Sequence, residues 1–278
     1  MVFRKWIVLV IGLALGLTIA GCGPEKNENS AKKAMAESHL DTIVKRGTLK
    51  VGMSTFVPWA MKDKTGKLIG FEIDVARQLA EDLGVNIDFV PTKWSGIIPA
   101  LLTGKFDVII GGMGILPGRN LKVNFSIPYD YTGMSIVAHK VKAKGYSSLA
   151  DFNKTSVTIA ARIGTSAAAA AKKVMPKAQL KLFDDESQAI QELLSGRVHA
   201  VVASSPLPAF QAIKYADTLF VPFQGNFTRE PIGFALRKGD YDLINFFNSW
   251  IRVKEAQGWL ADTKHYWFET REWESQIK

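Results

Sequence analysis

A single cysteine, Cys22, serves all 278 residues, so no disulfide can form within the chain. Histidine is nearly as scarce. His39, His139, His199 and His265 lie far apart and show no metal-ligand spacing. Ser204-Ser205 has no base beside it in the sequence, so nothing marks a serine nucleophile. Basic residues outnumber acidic ones by 35 to 26, but the lysines are scattered and form no dense stripe. Nucleic acid is therefore not an expected partner. What is present is ordinary for a folded globular protein: 47% hydrophobic and 22% charged residues, enough chain for one large domain or two of common size.

The N-terminus has its own composition. Met1 to Lys5 is positively charged, Trp6 to Ala20 is apolar, and Ile19-Ala20-Gly21 brings two small residues before Cys22. The apolar run is short for a bilayer, so this reads as a secretory signal peptide over residues 1–21. Two of the charges behind the formal +9, Arg4 and Lys5, would leave with it. The ending resembles the lipobox of bacterial lipoproteins, which implies cleavage before Cys22 and lipid on its sulfur and on the new N-terminus. Residues 22–39 then form a polar tether.

Beyond the tether, helix and strand patterns alternate, which argues an α/β fold with parallel strands. Leu40 to Arg46 is a short helix ended by Gly47. Leu49, Val51 and Met53 alternate as in a strand, and Phe71 to Leu83 is helical. Trp94, Ile97, Ile98, Leu101 and Leu102 fall on one helical face. In the second half a strand is expected at Val157–Ala161, a helix at Ser166–Val174, a strand at Leu180–Phe183, a helix at Glu186–Leu194 and a strand at Ala200–Ala203. From Asp240 to the end the pattern is helical and rich in aromatics, among them Tyr241, Phe247, Trp250, Trp259, Trp267 and Trp273. Such a stripe reads as packing against the first half.

The chain also echoes itself. Leu101-Leu102-Thr103-Gly104-Lys105-Phe106-Asp107-Val108-Ile109-Ile110 is matched by Leu193-Leu194-Ser195-Gly196-Arg197-Val198-His199-Ala200-Val201-Val202. Each is a helix end, a glycine stop, a basic residue and a buried strand. Two lobes of like construction follow from this, and the period is too long for a solenoid.

Two stretches carry chemistry. After the strand that starts at Phe106 come Gly111, Gly112 and Gly114, then Arg119. Glycines open the backbone to a ligand, and a guanidinium matches a carboxylate with two parallel hydrogen bonds. Arg162-Ile163-Gly164-Thr165-Ser166 repeats the arrangement: a strand end, a glycine, and hydroxyl residues capping a helix whose first N–H groups can receive an anion. Together they describe two jaws around a small carboxylate.

In order along the chain, Gly47-x-Leu49-x-Val51-Gly52, Gly66-x-x-x-Gly70-Phe71-x-x-Asp74, Trp94-x-x-Ile97-Ile98-Pro99-x-Leu101, the segment ending in Arg119, Phe125-Ser126-x-Pro128-Tyr129, Gly164-Thr165-Ser166 and Arg237-Lys238-Gly239-Asp240 resemble the bacterial extracellular solute-binding proteins of the polar amino acid type. The resemblance spans about Leu40 to Trp273. It implies a two-lobed periplasmic-binding-protein fold of type II, each lobe a mixed, mainly parallel sheet flanked by helices, joined by two hinge crossings. Lobe 1 would be 40–138 with a return over 229–278, and lobe 2 would be 139–228. It also implies roles: Arg119 clamps an α-carboxylate, Gly112 and Gly114 offer main-chain contacts, and Thr165 and Ser166 hold the ligand from the second lobe. Phe56 and Trp94 flank its side chain, Arg162 contacts that side chain, and Ser204 stands where an aspartate often binds the ammonium. The implied partners are an amino acid or related small carboxylate, an ABC permease with its ATPase, and a membrane reached through the lipid on Cys22. No cofactor, metal or second subunit is expected.

Three departures shape the ligand expectation. Ser204 and Met53 occupy positions that are often acidic, and Gly114 lacks the hydroxyl often found there. A serine cannot neutralise an ammonium, so an α-ammonium would be poorly matched unless Asp130 or Glu230 reaches in. With Arg119 and Arg162 left in a site stripped of acids, a dicarboxylate or an acidic or neutral amino acid is expected rather than arginine or lysine. Two other readings share the scaffold: an enzyme similar to cyclohexadienyl dehydratase, or a ligand-sensing partner of a receptor. For the enzyme His199 is the tempting residue, but its counterpart in the echo is Asp107, which marks it as a structural joint.

Overall fold

The computed structural model describes residues 37–277. The signal segment, Cys22 and the tether up to residue 36 lie outside them. Ser38 caps α1 (His39–Arg46): its hydroxyl accepts the Asp41 N–H, and the Asp41 carboxylate accepts the Ser38 N–H in return. Then follow β1 (Thr48–Met53), the small hairpin of β2 (Met61–Lys62) and β3 (Leu68–Ile69), α2 (Phe71–Asp82) and β4 (Asn86–Pro91). A 3₁₀ turn at Trp94–Gly96 runs into α3 (Ile97–Leu102), so the apolar face read from Trp94 onward is one turn of 3₁₀ followed by α-helix. β5 (Val108–Ile109), α4 (Pro117–Asn120) and β6 (Asn124–Phe125) complete the first pass.

The chain leaves the first lobe along β7 (Asp130–Thr132). It builds β8 (Met134–His139), α5 (Leu149–Phe152), β9 (Thr158–Arg162), α6 (Ser166–Val174), β10 (Gln179–Phe183), α7 (Glu186–Leu194), β11 (Ala200–Ser204), α8 (Leu207–Lys214) and β12 (Leu219–Phe220). It returns along β13 (Glu230–Ile232) and ends with β14 (Ala235–Leu236), α9 (Tyr241–Ala256), α10 (Trp259–Phe268) and a 3₁₀ segment at Glu272–Gln276. The C-terminal region is therefore three pieces where a continuous helical pattern was read. Gly258, at φ +76°, turns the chain between α9 and α10. Among the described residues no helix is long and apolar enough to cross a membrane.

The first sheet runs β4-β1-β5-β14-β6 and the second β10-β9-β11-β8-β12. Three parallel strands are followed by an antiparallel one in each: β1 pairs in parallel with β4 and β5, and β9 with β10 and β11, while β14 and β8 run against β5 and β11. β5 and β11, the two strands of the echo, hold the same central place. The pairing of β8 with β11 from Ala200↔Ala138 to Ser204↔Met134 puts Met134–His139 in the second lobe. The outgoing crossing thus lies at β7, ahead of the boundary expected after residue 138. β7 and β13 pair with each other, Glu230 opposite Thr132 and Ile232 opposite Asp130, so both crossings form one antiparallel ribbon.

The echo extends to hydrogen bonds. The Asp107 N–H donates to the Lys50 carbonyl, and the Asp107 carboxylate accepts the Lys50 N–H at 2.8 Å. In the second lobe the His199 N–H donates to the Thr158 carbonyl, and His199 Nδ1 accepts the Thr158 N–H at 3.1 Å. Each residue ties the start of its strand to the neighbouring one. Asp107 is further paired with Arg46 and His39.

The aromatic tail packs on the first lobe. Phe247, Trp250, Trp267 and Trp273 join Trp59, Phe71 and Phe234 in one core, whereas Tyr241 is exposed. The indole N–H groups of Trp250 and Trp267 donate to Asp82 and Asp74, both on α2, at 2.7 Å. Trp273 also meets Phe210 of α8 edge-on at 5.4 Å, a contact with the second lobe.

One acid is buried within this core. Glu72, fully buried on α2, accepts the Tyr129 hydroxyl at 2.7 Å. Burial pushes its carboxyl up to about 8, against the opposing pull of Tyr129 and the Gly112 amide. The unfolded chain releases this proton near the ordinary value of 4.5. Below that pH both states hold the proton; as pH rises toward 8 only the folded state keeps it, so stability falls through that window. Urea unfolding of Glu72→Gln should lack that share of the decline, on the order of 4 kcal/mol between pH 5 and pH 8.5. Parallel pH profiles for the two proteins would show that Glu72 does not titrate in this way.

Candidate functional site

The ends of β1 and β5 in one lobe face the end of β9 and the start of α6 in the other. Arg119, on α4, is held by two carbonyls: its Nη1 donates to Gly114 O at 3.0 Å and its Nη2 to Gly164 O at 3.3 Å. Gly164 belongs to the second lobe, so this guanidinium bridges the cleft. Trp94 Nε1 donates to the same Gly164 oxygen at 3.2 Å, and the Arg119 guanidinium lies 5.7 Å from the Trp94 ring centre. Gly164 is a turn residue at φ +75°, and a Cβ there would touch Ser95 at 3.5 Å and Trp94 at 3.7 Å. Burial pulls the Arg119 guanidinium below its ordinary value, and the carboxylate of Glu230 opposes that pull.

Arg162 stands at the end of β9 and is only 4% exposed. Its guanidinium sits between two rings, 5.1 Å from the centre of Trp94 and 5.8 Å from that of Phe56. Its Nη1 donates to Thr55 O of the first lobe at 3.2 Å. Its Nε lies 3.1 Å from Glu186 Oε2, within ion-pairing distance but at an angle that makes no hydrogen bond. Glu186 opens α7 and is itself buried, which raises its carboxyl while Arg162 draws it back down. The two aromatics expected to flank a ligand side chain thus both lie near the protein's own cation.

The remaining expected residues lie around this centre with different partners. The Gly112 amide faces Glu72 and Tyr129 on the inner side of the lobe, and a Cβ at Gly112, whose φ is +66°, would press on Trp59 at 3.0 Å. The Thr165 hydroxyl caps α6, accepting the Ala168 N–H at 3.2 Å and donating to Arg162 O at 2.6 Å. Ser166 is the first residue of α6, and its hydroxyl has no hydrogen-bond partner among the described residues. Ser204 ends β11, where its hydroxyl meets the sulfur of Met134 at 3.7 Å. Met53 is buried in the first lobe beside Ala60 and Ile73.

Of the two acids named as substitutes for an aspartate at Ser204, Asp130 is paired with Lys264 at 2.5 Å. Glu230 has a buried Oε2 with no hydrogen-bond partner among the described residues. Glu186 and the Gly164 carbonyl were missed by sequence reasoning. Nothing in the Asp185–Glu186 helix start distinguishes a buried ion-pair partner from an ordinary acidic first turn. Beyond the Arg162–Glu186 pair an interlobe cavity of about 560 Å³ is lined by Thr55, Phe56, Lys62, Glu186, Leu207 and Lys214. Lys93 and Asp184 add a further interlobe contact, an exposed ion pair at 2.8 Å.

The sequence profile of the bacterial extracellular solute-binding proteins, family 3, matches residues 49–270. The chain is 32% identical over 241 residues to the L-cystine-binding protein of Escherichia coli K12, covering 86% of this chain and 89% of that protein. Among solved structures it is similar to an ancestral amino acid-binding protein described as a precursor of cyclohexadienyl dehydratase. That match has 44% identity and a TM-score of 0.76 over 83% of this chain and 99% of the other. It is also similar to a binding component of an ABC transporter from Wolinella succinogenes complexed with lysine, at 39% identity and a TM-score of 0.78, with the same shares covered.

The Arg162–Glu186 pair generates an asymmetric prediction. Glu186→Gln leaves a buried guanidinium that cannot lose its charge, and should cost about 3 kcal/mol or more in chemical denaturation at pH 7. Arg162→Met leaves a carboxyl already raised by burial, which can take up a proton, so its cost should be smaller and should shrink further at pH 5. Equal costs at both pH values would contradict this arrangement.

Proposed function

The chain belongs to the bacterial extracellular solute-binding proteins, family 3, and from that premise we propose that it captures an amino acid or related small carboxylate between its lobes and delivers it to an ABC permease and its ATPase. The observation that carries the reading is Arg119, whose two Nη groups each donate to a carbonyl, one in each lobe. A carboxylate is a stronger acceptor than a neutral carbonyl, and a planar guanidinium accepts it bidentately. A ligand entering the open cleft would take the Arg119 donors on the first lobe. The Gly164 turn and the start of α6, with the Ser166 hydroxyl, would then meet it as the lobes shut. Such contacts exist only in the closed form, and they are what shifts the population toward it. The permease reads that closed form.

The side-chain slot narrows the ligand. With the Arg162 guanidinium already between Phe56 and Trp94, a second cation would meet like charge there. Neutral and acidic side chains fit better, and they can stack on the guanidinium or reach the cavity beyond it. The relatives with named ligands include binders of cystine and of lysine, so family membership does not choose among side chains. An extracytoplasmic location follows the same reading. Lipid on Cys22 would hold the protein at the membrane, and the chain would work as a monomer without a cofactor. The dehydratase alternative is weaker because His199 is locked at the start of β11 by its Thr158 hydrogen bond, with Ser204 at the other end of that strand.

A thermal-shift screen of amino acids, dicarboxylates and simple organic acids tests the proposal. A ligand at 100 times its dissociation constant should stabilise the protein by about 2.7 kcal/mol. Neutral or acidic amino acids should give the shift, and Arg119→Ala should abolish it. Stabilisation by lysine or arginine alone would refute the part given to Arg162. Stabilisation that survives Arg119→Ala would refute the clamp.

A further inference from the structure

We propose that Glu230 is the acceptor for the ligand's α-ammonium group, seated beside Arg119 because Gly114 has no side chain. This rests on the amino acid reading of the cleft and adds the residue that tells an amino acid from a plain carboxylic acid. Glu230 lies on β13, in the crossing ribbon. Its backbone is fixed next to the clamp: Gly114 bridges to Ile232, and the Ile115 N–H donates to Pro231 O at 2.8 Å. A methyl group on Gly114 would meet Glu230 Oε2 at 3.0 Å and Arg119 Nη1 at 3.4 Å. Both charged groups therefore converge on the space that a side chain at 114 would fill.

Glu230 Oε2 is buried and lacks a hydrogen-bond partner among the described residues, while Oε1 has only a long contact of 3.5 Å from the Thr228 hydroxyl. An unpaired buried carboxylate oxygen is costly, and a cation arriving beside it removes the cost. Other acids near the cleft are already engaged: Asp130 by Lys264, Glu186 by Arg162, Asp184 by Lys93 and Asp185 in the cap of α7. Among the described residues no ion pair joins Glu230 to Arg119 or to any other cation. An α-amino acid carries its carboxylate and ammonium on adjacent atoms, as a guanidinium and a carboxylate set side by side require. The ammonium contact, lost from the second lobe at Ser204, is thereby supplied from the ribbon. The whole α-amino acid head can then bind before the second lobe closes.

Calorimetry on matched pairs tests this: L-cystine against 3,3′-dithiodipropionate, L-glutamate against glutarate, and L-phenylalanine against 3-phenylpropionate. The wild-type protein should prefer the amino member of a pair that binds by about tenfold or more. Glu230→Gln should reduce that preference to less than about threefold by weakening the amino member while leaving its partner's affinity unchanged. Gly114→Ala, which crowds both Oε2 and Arg119 Nη1, should weaken both members of a pair, the amino member more. Thermal unfolding of each variant reports its fold independently. An unaltered preference in Glu230→Gln, or equal losses for both members of a pair, would overturn the proposal and leave the carboxylate clamp standing. Binding of no pair member by the wild-type protein would overturn the amino acid reading and this proposal together.

Discussion

A guanidinium that is almost wholly buried cannot shed its proton, so the protein around it must supply charge and acceptors. Arg162 imposes that demand at the centre of the cleft, and both lobes answer it. Glu186 comes from the start of α7 in its own lobe, and the Thr55 carbonyl and the faces of Phe56 and Trp94 come from the other. Trp94 then turns its indole N–H to Gly164, the same carbonyl that receives Arg119. Two cations and two aromatic rings thus form one connected unit across the lobe boundary. Under the proposed function, that positive charge would favour a carboxylate and disfavour a cationic side chain.

The fold brings this unit together through repetition. Each lobe sets three parallel strands beside one antiparallel strand, and in each the antiparallel strand is built after a crossing. The residues proposed to meet the ligand therefore lie at or just beyond the C-terminal ends of the parallel strands, where loops leave the sheet. The ribbon of β7 and β13 runs between the lobes. Asp130 is neutralised by Lys264 on α10, which ties the ribbon to the first lobe, while Glu230 stands beside Gly114. The proposed ammonium acceptor and both interlobe crossings thus belong to one short piece of sheet.

Much of this was legible in the sequence where local rules decide the outcome. Helix α6 at Ser166–Val174 and helix α7 at Glu186–Leu194 begin and end where the capping residues and apolar faces place them. The echo around Asp107 and His199 reached down to the same backbone bracket in both lobes. Other features depend on what lies across the molecule. The apolar run from Phe106 reads as a longer strand than β5, because its pairing with β1 covers only Val108 and Ile109. The helical C-terminal pattern does not reveal the turn at Gly258, since residues on both sides keep apolar faces. Arg162 reads as a ligand contact in the sequence; its packing against Phe56 and Trp94 was not legible. That outcome depends on Glu186 and Thr55, each of which reads as an ordinary polar residue in its own segment.

The decisive measurement is a crystal structure of the protein with the amino acid that stabilises it most. The ligand carboxylate should lie within hydrogen-bond distance of Arg119 Nη1 and Nη2, replacing at least one of the Gly114 and Gly164 carbonyls. A ligand seated elsewhere, with Arg119 still bridging those two carbonyls, would contradict the carboxylate clamp on which the functional reading depends.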